Sequence, residues 1–104
     1  MMTELKIKNL LGLAQRARLL VSGSFQVNEA LQNEKVKMLI VTKDASERMV
    51  QEFEKISTEK NIPLLRLLTK ESLGQCLGKD FRAVAAVLEE GFAKSIRRLS
   101  SEEE

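Results

Sequence analysis

Two short segments of this chain combine residue types able to hold an anionic polymer. The first is Ser22-Gly23-Ser24-Phe25-Gln26, immediately before an amphipathic run. A glycine turn that opens a helix presents unpaired N–H groups and a partial positive charge, which suit phosphate. Gly23 would let the backbone approach a ligand closely. Gln26 can hydrogen-bond a base edge, and Phe25 can stack on a base face. The same residues equally describe an ordinary strand-to-helix turn, with Ser22 or Ser24 as the cap and Phe25 half-buried. The second segment is Gly78-Lys79-Asp80-Phe81-Arg82. Its glycine, two cations and aromatic ring suit backbone contact and base stacking. It also reads as a C-capping glycine and a polar loop, with Phe81 plugging the core. Arg16, Arg18, Lys43, Lys70 and Lys94 are further cations, most of them expected on a solvated surface.

Other chemistries lack their parts. The 104 residues contain no histidine, which removes Ser-His-Asp and Cys-His triads, histidine-ligated metals and the usual neutral-pH proton carrier. The single cysteine, Cys76, cannot form an internal disulfide and leaves no plausible zinc ligand set. It falls on the apolar side of a short helix, a core position rather than a nucleophile's. Neither G-x-G-x-x-G nor a P-loop pattern occurs, so a nucleotide-dependent enzyme finds no support. No catalytic residue, metal or cofactor is expected.

The elements that must position the two segments follow from hydrophobic periodicity. Ile7, Leu10, Leu11 and Ala14 form one face of a first helix ending near Arg16-Ala17-Arg18. Leu19-Leu20-Val21 reads as a short buried strand, and Val27, Ala30 and Leu31 mark a second helix. Val36 to Thr42 is a second strand, centred on Met38-Leu39-Ile40-Val41. Asp44 with Glu47 forms a capping-box pattern for a third helix, which faces the core through Met49, Phe53 and Ile56. Asn61 and Pro63 stop it, and Pro63 places the next strand, to Leu68, at its start or on a sheet edge. Thr69 caps a short fourth helix carrying Leu73, Cys76 and Leu77, with Gly78 just past its end. Ala83 to Leu88 is a fourth strand, and Phe92, Ile96 and Leu99 line a last helix. This alternation predicts a mostly parallel or mixed sheet between helical layers.

Length predicts one domain over residues 1–99, followed by a frayed acidic tail over 100–104. Net charge is +2, and most of the basic excess is hidden by the three terminal glutamates. A modest basic excess suits an anionic partner. No apolar run is long enough for a bilayer, and the N-terminus lacks a signal-peptide pattern, which points to the cytoplasm without membrane contact.

Taken together, a set of segments resembles the small bacterial YlxQ proteins, within the superfamily of ribosomal proteins L7Ae and L30e. They are Leu11-Gly12-Leu13-Ala14-Gln15-Arg16-Ala17, Ser22-Gly23, Lys43-Asp44-Ala45-Ser46, Leu73-Gly74, Gly78-Lys79 with Arg82, and Glu90-Gly91-Phe92-Ala93-Lys94. The resemblance spans about Leu5 to Leu99 and rests on the combination. It implies a three-layer α/β/α sandwich around a four-stranded mixed sheet. It also implies a non-catalytic, ribosomal-protein-like role on structured, kink-turn-like RNA in a translation-linked particle. Partners would be ribosomal RNA and ribosomal or other translation-linked proteins. The implied contact residues are Gly23, Ser24, Phe25, Gln26, Lys43, Lys79 and Arg82. The family's kink-turn binders read roughly Gly-x-Asn-Glu-x-x-Lys before helix two. Here the same spacing keeps Gly23 but replaces the Asn-Glu pair by Phe25-Gln26 and the lysine by Glu29. A carboxylate facing phosphate is repulsive, and a phenyl ring supplies no hydrogen bonds. Phe25 and Glu29 therefore keep a second function open: a protein-interaction adaptor that retains the fold without kink-turn recognition.

Overall fold

The computed structural model describes residues 2–102. Five helices alternate with four strands: α1 (Met2–Arg16), β1 (Leu20–Ser22), α2 (Ser24–Gln32), β2 (Met38–Val41) and α3 (Glu47–Lys60), then β3 (Leu64–Arg66), α4 (Lys70–Cys76), β4 (Val84–Val87) and α5 (Glu90–Glu102). The strands form one sheet in the order β1-β4-β2-β3. β4 runs antiparallel to both β1 and β2, while β3 runs parallel to β2. The sheet is mixed, as the alternation and the resemblance predict.

Strand alternation divides the core into two. Met38, Ile40, Ala85 and Val87 face Ile7, Leu11, Leu73, Ala93 and Ile96, so α1, α4 and α5 cover one side of the sheet. Leu39, Val41, Val84 and Ala86 face Val27, Leu31 and Phe53, so α2 and α3 cover the other. Both central strands are buried throughout, which is why they read as continuous apolar runs. The result is the expected α/β/α sandwich. Pro63 precedes β3, an edge strand, where a missing N–H costs no ladder bond.

Local stop signals operate largely as expected. Asn61 adopts the left-handed conformation at φ 57° and closes α3. Thr69 and Ser72 form a reciprocal capping box at the start of α4. Other expectations are corrected. Ser46, not Asp44, caps α3, its hydroxyl accepting from the Met49 N–H at 3.2 Å. Asp44 instead accepts from the Lys70 N–H at 2.9 Å, joining two loops. Neither Ser22 nor Ser24 caps α2; Gly23 occupies the cap position at φ 89°, with no side-chain cap bond. Residues 100–102, expected in a frayed tail, are helical: α5 continues through Glu102, with the Ser101 hydroxyl bonded to the Arg98 carbonyl. Its last turns continue from the packed Ile96 and half-buried Leu99. Glu103 and Glu104 lie outside the described residues. Among the described residues no helix is long and apolar enough to cross a membrane.

Candidate nucleic-acid interface

β4 runs against both of its neighbours, so the ends of β1, β2 and β3 and the start of β4 share one end of the sheet. Every loop carrying a predicted contact residue leaves from that end. Main-chain bonds stitch these loops together. Thr42 N–H donates to the Ala83 carbonyl at 2.9 Å, Lys43 N–H to Leu68 at 2.9 Å, and Arg82 N–H to Lys70 at 3.1 Å. The buried Leu68 holds the strained value φ 62°, rare for a branched non-glycine residue, and offers its carbonyl to Lys43. Arg66 fixes the same loop, donating to the carbonyls of Thr42 and Lys43.

Arg82 joins the Ser22–Gln26 and Gly78–Arg82 segments. Its Nε donates to the Ser22 hydroxyl at 3.2 Å, and its Nη1 to the Phe81 carbonyl at 3.0 Å. The same Nε would lie 3.9 Å from a Cβ on Gly23. Gly23 N–H in turn donates to the Val84 carbonyl at 3.0 Å. The first turn of α2 carries neither a side-chain cap nor an acid, so its N–H groups and partial positive charge stay available beside the guanidinium.

Close packing against α4 sets the height of the second loop. A Cβ on Gly74 would sit 1.9 Å from the Asp80 carbonyl oxygen, so only glycine lets the loop cross the helix here. Lys79 N–H donates back to the Gly74 carbonyl at 2.8 Å. Gly78, at φ 67°, makes the turn that brings it there.

Gln26, Lys79 and Arg82 thus line one polar cleft with Gln15, Leu20 and Ser22, and Gly23 adjoins it. Ser24 is exposed at the start of α2. Phe25 is 81% exposed, and Phe81 is 66% exposed rather than plugging the core. Lys43 does not join this group. It follows β2, on the far side of β4 from β1, and does not line the cleft, although the Thr42–Ala83 bond sets its main chain beside that of Arg82. Sequence reasoning missed Gln15, whose amide donates to the Leu77 carbonyl, and Ser22 as the partner of Arg82. It also missed Gly74 as the seat of the loop, although a glycine inside a short helical pattern was a visible signal.

Two carboxyls near helix starts sit below their ordinary range. Desolvation pushes Asp44 up, but the Lys70 N–H, neighbouring hydrogen bonds and the Lys70 charge outweigh it. Glu89 accepts from the N–H groups of Phe92 and Gly91 at 2.8 and 2.9 Å and so caps α5. Cys76 is half-buried, and burial pushes its thiol up, away from nucleophilic character. Among the described residues no three His, Cys, Asp or Glu side chains gather as a metal site requires.

Residues 5–97 match the model of the Ribosomal protein L7Ae/L30e/S12e/Gadd45 family. The chain belongs to this family. It is 34% identical over 87 residues to the RNA-binding protein YlxQ of Bacillus subtilis (strain 168), covering 84% of this chain and 87% of that protein. It is also 34% identical to the RNA-binding protein YlxQ of Enterococcus faecium, over 90% of each. Within the family it is therefore YlxQ-like. A solved protein of unknown function from Bacillus halodurans C superposes with a TM-score of 0.85 at 34% identity, over 90% of this chain and 95% of that one. The Giardia lamblia 15.5kD RNA binding protein superposes at 0.78 over 98% of this chain and 88% of that one. At 15% identity it shows the shared fold alone.

Proposed function

We propose that this chain is a small non-catalytic RNA-binding protein, ribosomal-protein-like, that holds structured RNA in a translation-linked particle of the cytoplasm. The carrying observation is the Arg82–Ser22 bond, which brings Lys79, Arg82, Gly23 and Gln26 to one surface. Lys79 and Arg82 neutralise phosphates there, and the free first-turn N–H groups of α2, from Ser24 and Phe25, approach the backbone where Gly23 leaves room. Gln26 and Phe25 meet bases, and Lys43 contacts phosphate further along the same end of the sheet. The names of the YlxQ relatives support RNA as the partner, with ribosomal RNA as the first choice. The RNA is kink-turn-like but is held by a modified grip, because Glu29 replaces the cation of the family pattern. A chain without histidine, with one thiol held protonated by burial, has little to offer catalysis.

Replacing both cations, Lys79→Ala with Arg82→Ala, tests the reading in a titration with cellular ribosomal RNA at several salt concentrations. Binding should weaken at every salt, and the slope of log affinity against log salt should flatten by about two. Salt-independent or undetectable binding by the parent protein rejects the proposal.

A second reading, a protein-interaction adaptor, draws on one observation: Phe25 is 81% exposed beside Glu29. An exposed aromatic suits an interface anchor. It requires that Phe25→Ala lose bound translation-linked proteins from a pull-down, while equal recovery rejects it.

A further inference from the structure

A groove of about 560 Å³, larger than the polar cleft, runs between α1 and α4 and shares no lining residue with that cleft. Leu5, Asn9, Gly12, Leu13 and Arg16 line it from α1. At 100° per residue these five fall within an arc of about 100°, opposite the buried Ile7, Leu11 and Ala14. α1 thus carries a second apolar stripe, turned away from the core. Among the described residues, the exposed large hydrophobic side chains other than Phe25 and Phe81 all lie on α1: Met2, Leu5 and Leu13. Leu5 and Leu13 stand about 12 Å apart along the axis, and the buried Gly12 makes the floor between them. A Cβ on Gly12 would lie 3.2 Å from the Cys76 carbonyl oxygen and 3.4 Å from Arg16 Nη1. Ser72, Gln75 and Cys76 of α4 form the opposite wall.

We propose that this groove docks an acidic amphipathic helix of a partner protein. From Leu5 to Arg16 it follows α1 for about 17 Å, three turns of a partner helix. Two helices with a glycine floor between them accept the apolar stripe of a third, anchored at i, i+3 or i+4, and i+7. Leu5 and Leu13 are then buried by the partner's apolar side chains. Charge selects the acid. The charged side chains of the lining are Lys8 and Arg16, both cations. Glu4 pairs with Lys8 at 3.3 Å, and Arg16 makes no ion pair among the described residues. Across α1 and α4 the cations Lys6, Lys8, Arg16 and Lys70 outnumber the acids Glu4 and Glu71. Glutamates flanking the partner's stripe meet this excess, which sets both affinity and choice of partner. Other occupants fit less well. A second copy would bring the same cations against these. RNA phosphates would meet Lys8 and Arg16 but leave Leu5 and Leu13 in water, and no aromatic ring lines the groove to stack a base. Because groove and cleft are separate, a partner protein and RNA can occupy the chain together.

Two fluorescein-labelled peptides, each stapled into a helix of about 18 residues, test the proposal by anisotropy against the full chain. Both carry a leucine stripe at i, i+4, i+7 and i+11; one has glutamate on its remaining face and the other lysine. The parent chain should bind the acidic peptide at least about 10-fold more tightly than the basic one. Leu13→Asp should weaken the acidic complex about 10-fold, with an unchanged thermal melt and unchanged ribosomal RNA binding. Arg16→Glu should remove the preference for the acidic peptide. The proposal falls if the parent binds both peptides equally or neither, or if Leu13→Asp is silent. It falls in favour of a second copy if sedimentation shows a dimer that Leu13→Asp dissociates. It falls in favour of RNA if Leu13→Asp weakens ribosomal RNA binding and leaves the acidic peptide bound. A parent that takes the acidic peptide but no RNA upholds this inference and rejects the RNA-binding reading.

Discussion

The loop from Gly78 to Arg82 and the first turn of α2 meet at one cleft but are held in place differently. The loop is seated without slack: Gly74 leaves no room for a methyl group beneath Asp80, and Arg82 is bonded to Ser22, Phe81 and the Lys70 carbonyl. The α2 turn has a glycine cap, no side-chain bond to its N–H groups, and a phenyl ring that is 81% exposed. Part of the cleft is thus a fixed electrostatic anchor that suits any phosphate backbone. The other part is a surface whose side chains can change without disturbing the core. The sequence departs from the family pattern on that second surface, at Phe25, Gln26 and Glu29, and keeps the cations on the first.

This contrast can be broken most severely at the seat of the loop. Gly74→Ala forces the chain off α4, and we expect a stability loss of about 1–3 kcal/mol in chemical denaturation, the range for overpacking a tight site. RNA affinity should fall with it, toward that of the Lys79→Ala, Arg82→Ala protein. A variant with parent-like stability and binding would show that the loop is not fixed by this contact.

Charge on the α2 side should have a smaller effect of opposite sign. Glu29→Lys restores the family's cation and should raise RNA affinity several-fold at roughly 0.15 M salt, steepening the salt slope by about one. An unchanged slope would mean that phosphate does not pass α2.

Acid should loosen the fold outside both regions, at the Asp44–Lys70 link and at the cap of α5. Asp44 and Glu89 have pKa values below their ordinary 3.8 and 4.5, so each favours the folded state while ionised. That contribution is complete above those ordinary values and is lost as pH falls through the lower folded ones. Thermal melts between pH 2 and 6 should show the decline, and Asp44→Asn with Glu89→Gln should flatten it. The smallest expected effect is at Cys76. Its raised thiol should react with iodoacetamide more slowly than a free cysteine at pH 8, and binding RNA should not alter that rate.

Much of this architecture was legible in local pattern. Asn61 and Pro63 stop α3, Thr69 starts α4, and the apolar run Met38–Val41 is the central strand, because each depends on neighbours a few residues away. Misreadings arose where a local signal had a better distant partner. Asp44 looked like a helix cap, yet it bonds Lys70, 26 residues on, and leaves the cap to Ser46. Ser22 looked like a cap for α2, yet its hydroxyl accepts from Arg82, 60 residues away. Phe81 looked equally suited to core or surface, since a single aromatic in a loop has no period to assign it.

By itself the sequence determined which segments are helix or strand, which faces they bury, and which chemistries lack their residues. Periodicity, capping and composition act over a few residues and need no knowledge of the rest of the chain. Only the tertiary structure decided that Lys79, Arg82 and Gln26 share one cleft beside Gly23, that Lys43 lies outside its lining, and that β1 is an edge strand. Those facts depend on strand order, and on a glycine in α4 that lets a loop lie close enough for Arg82 to reach Ser22.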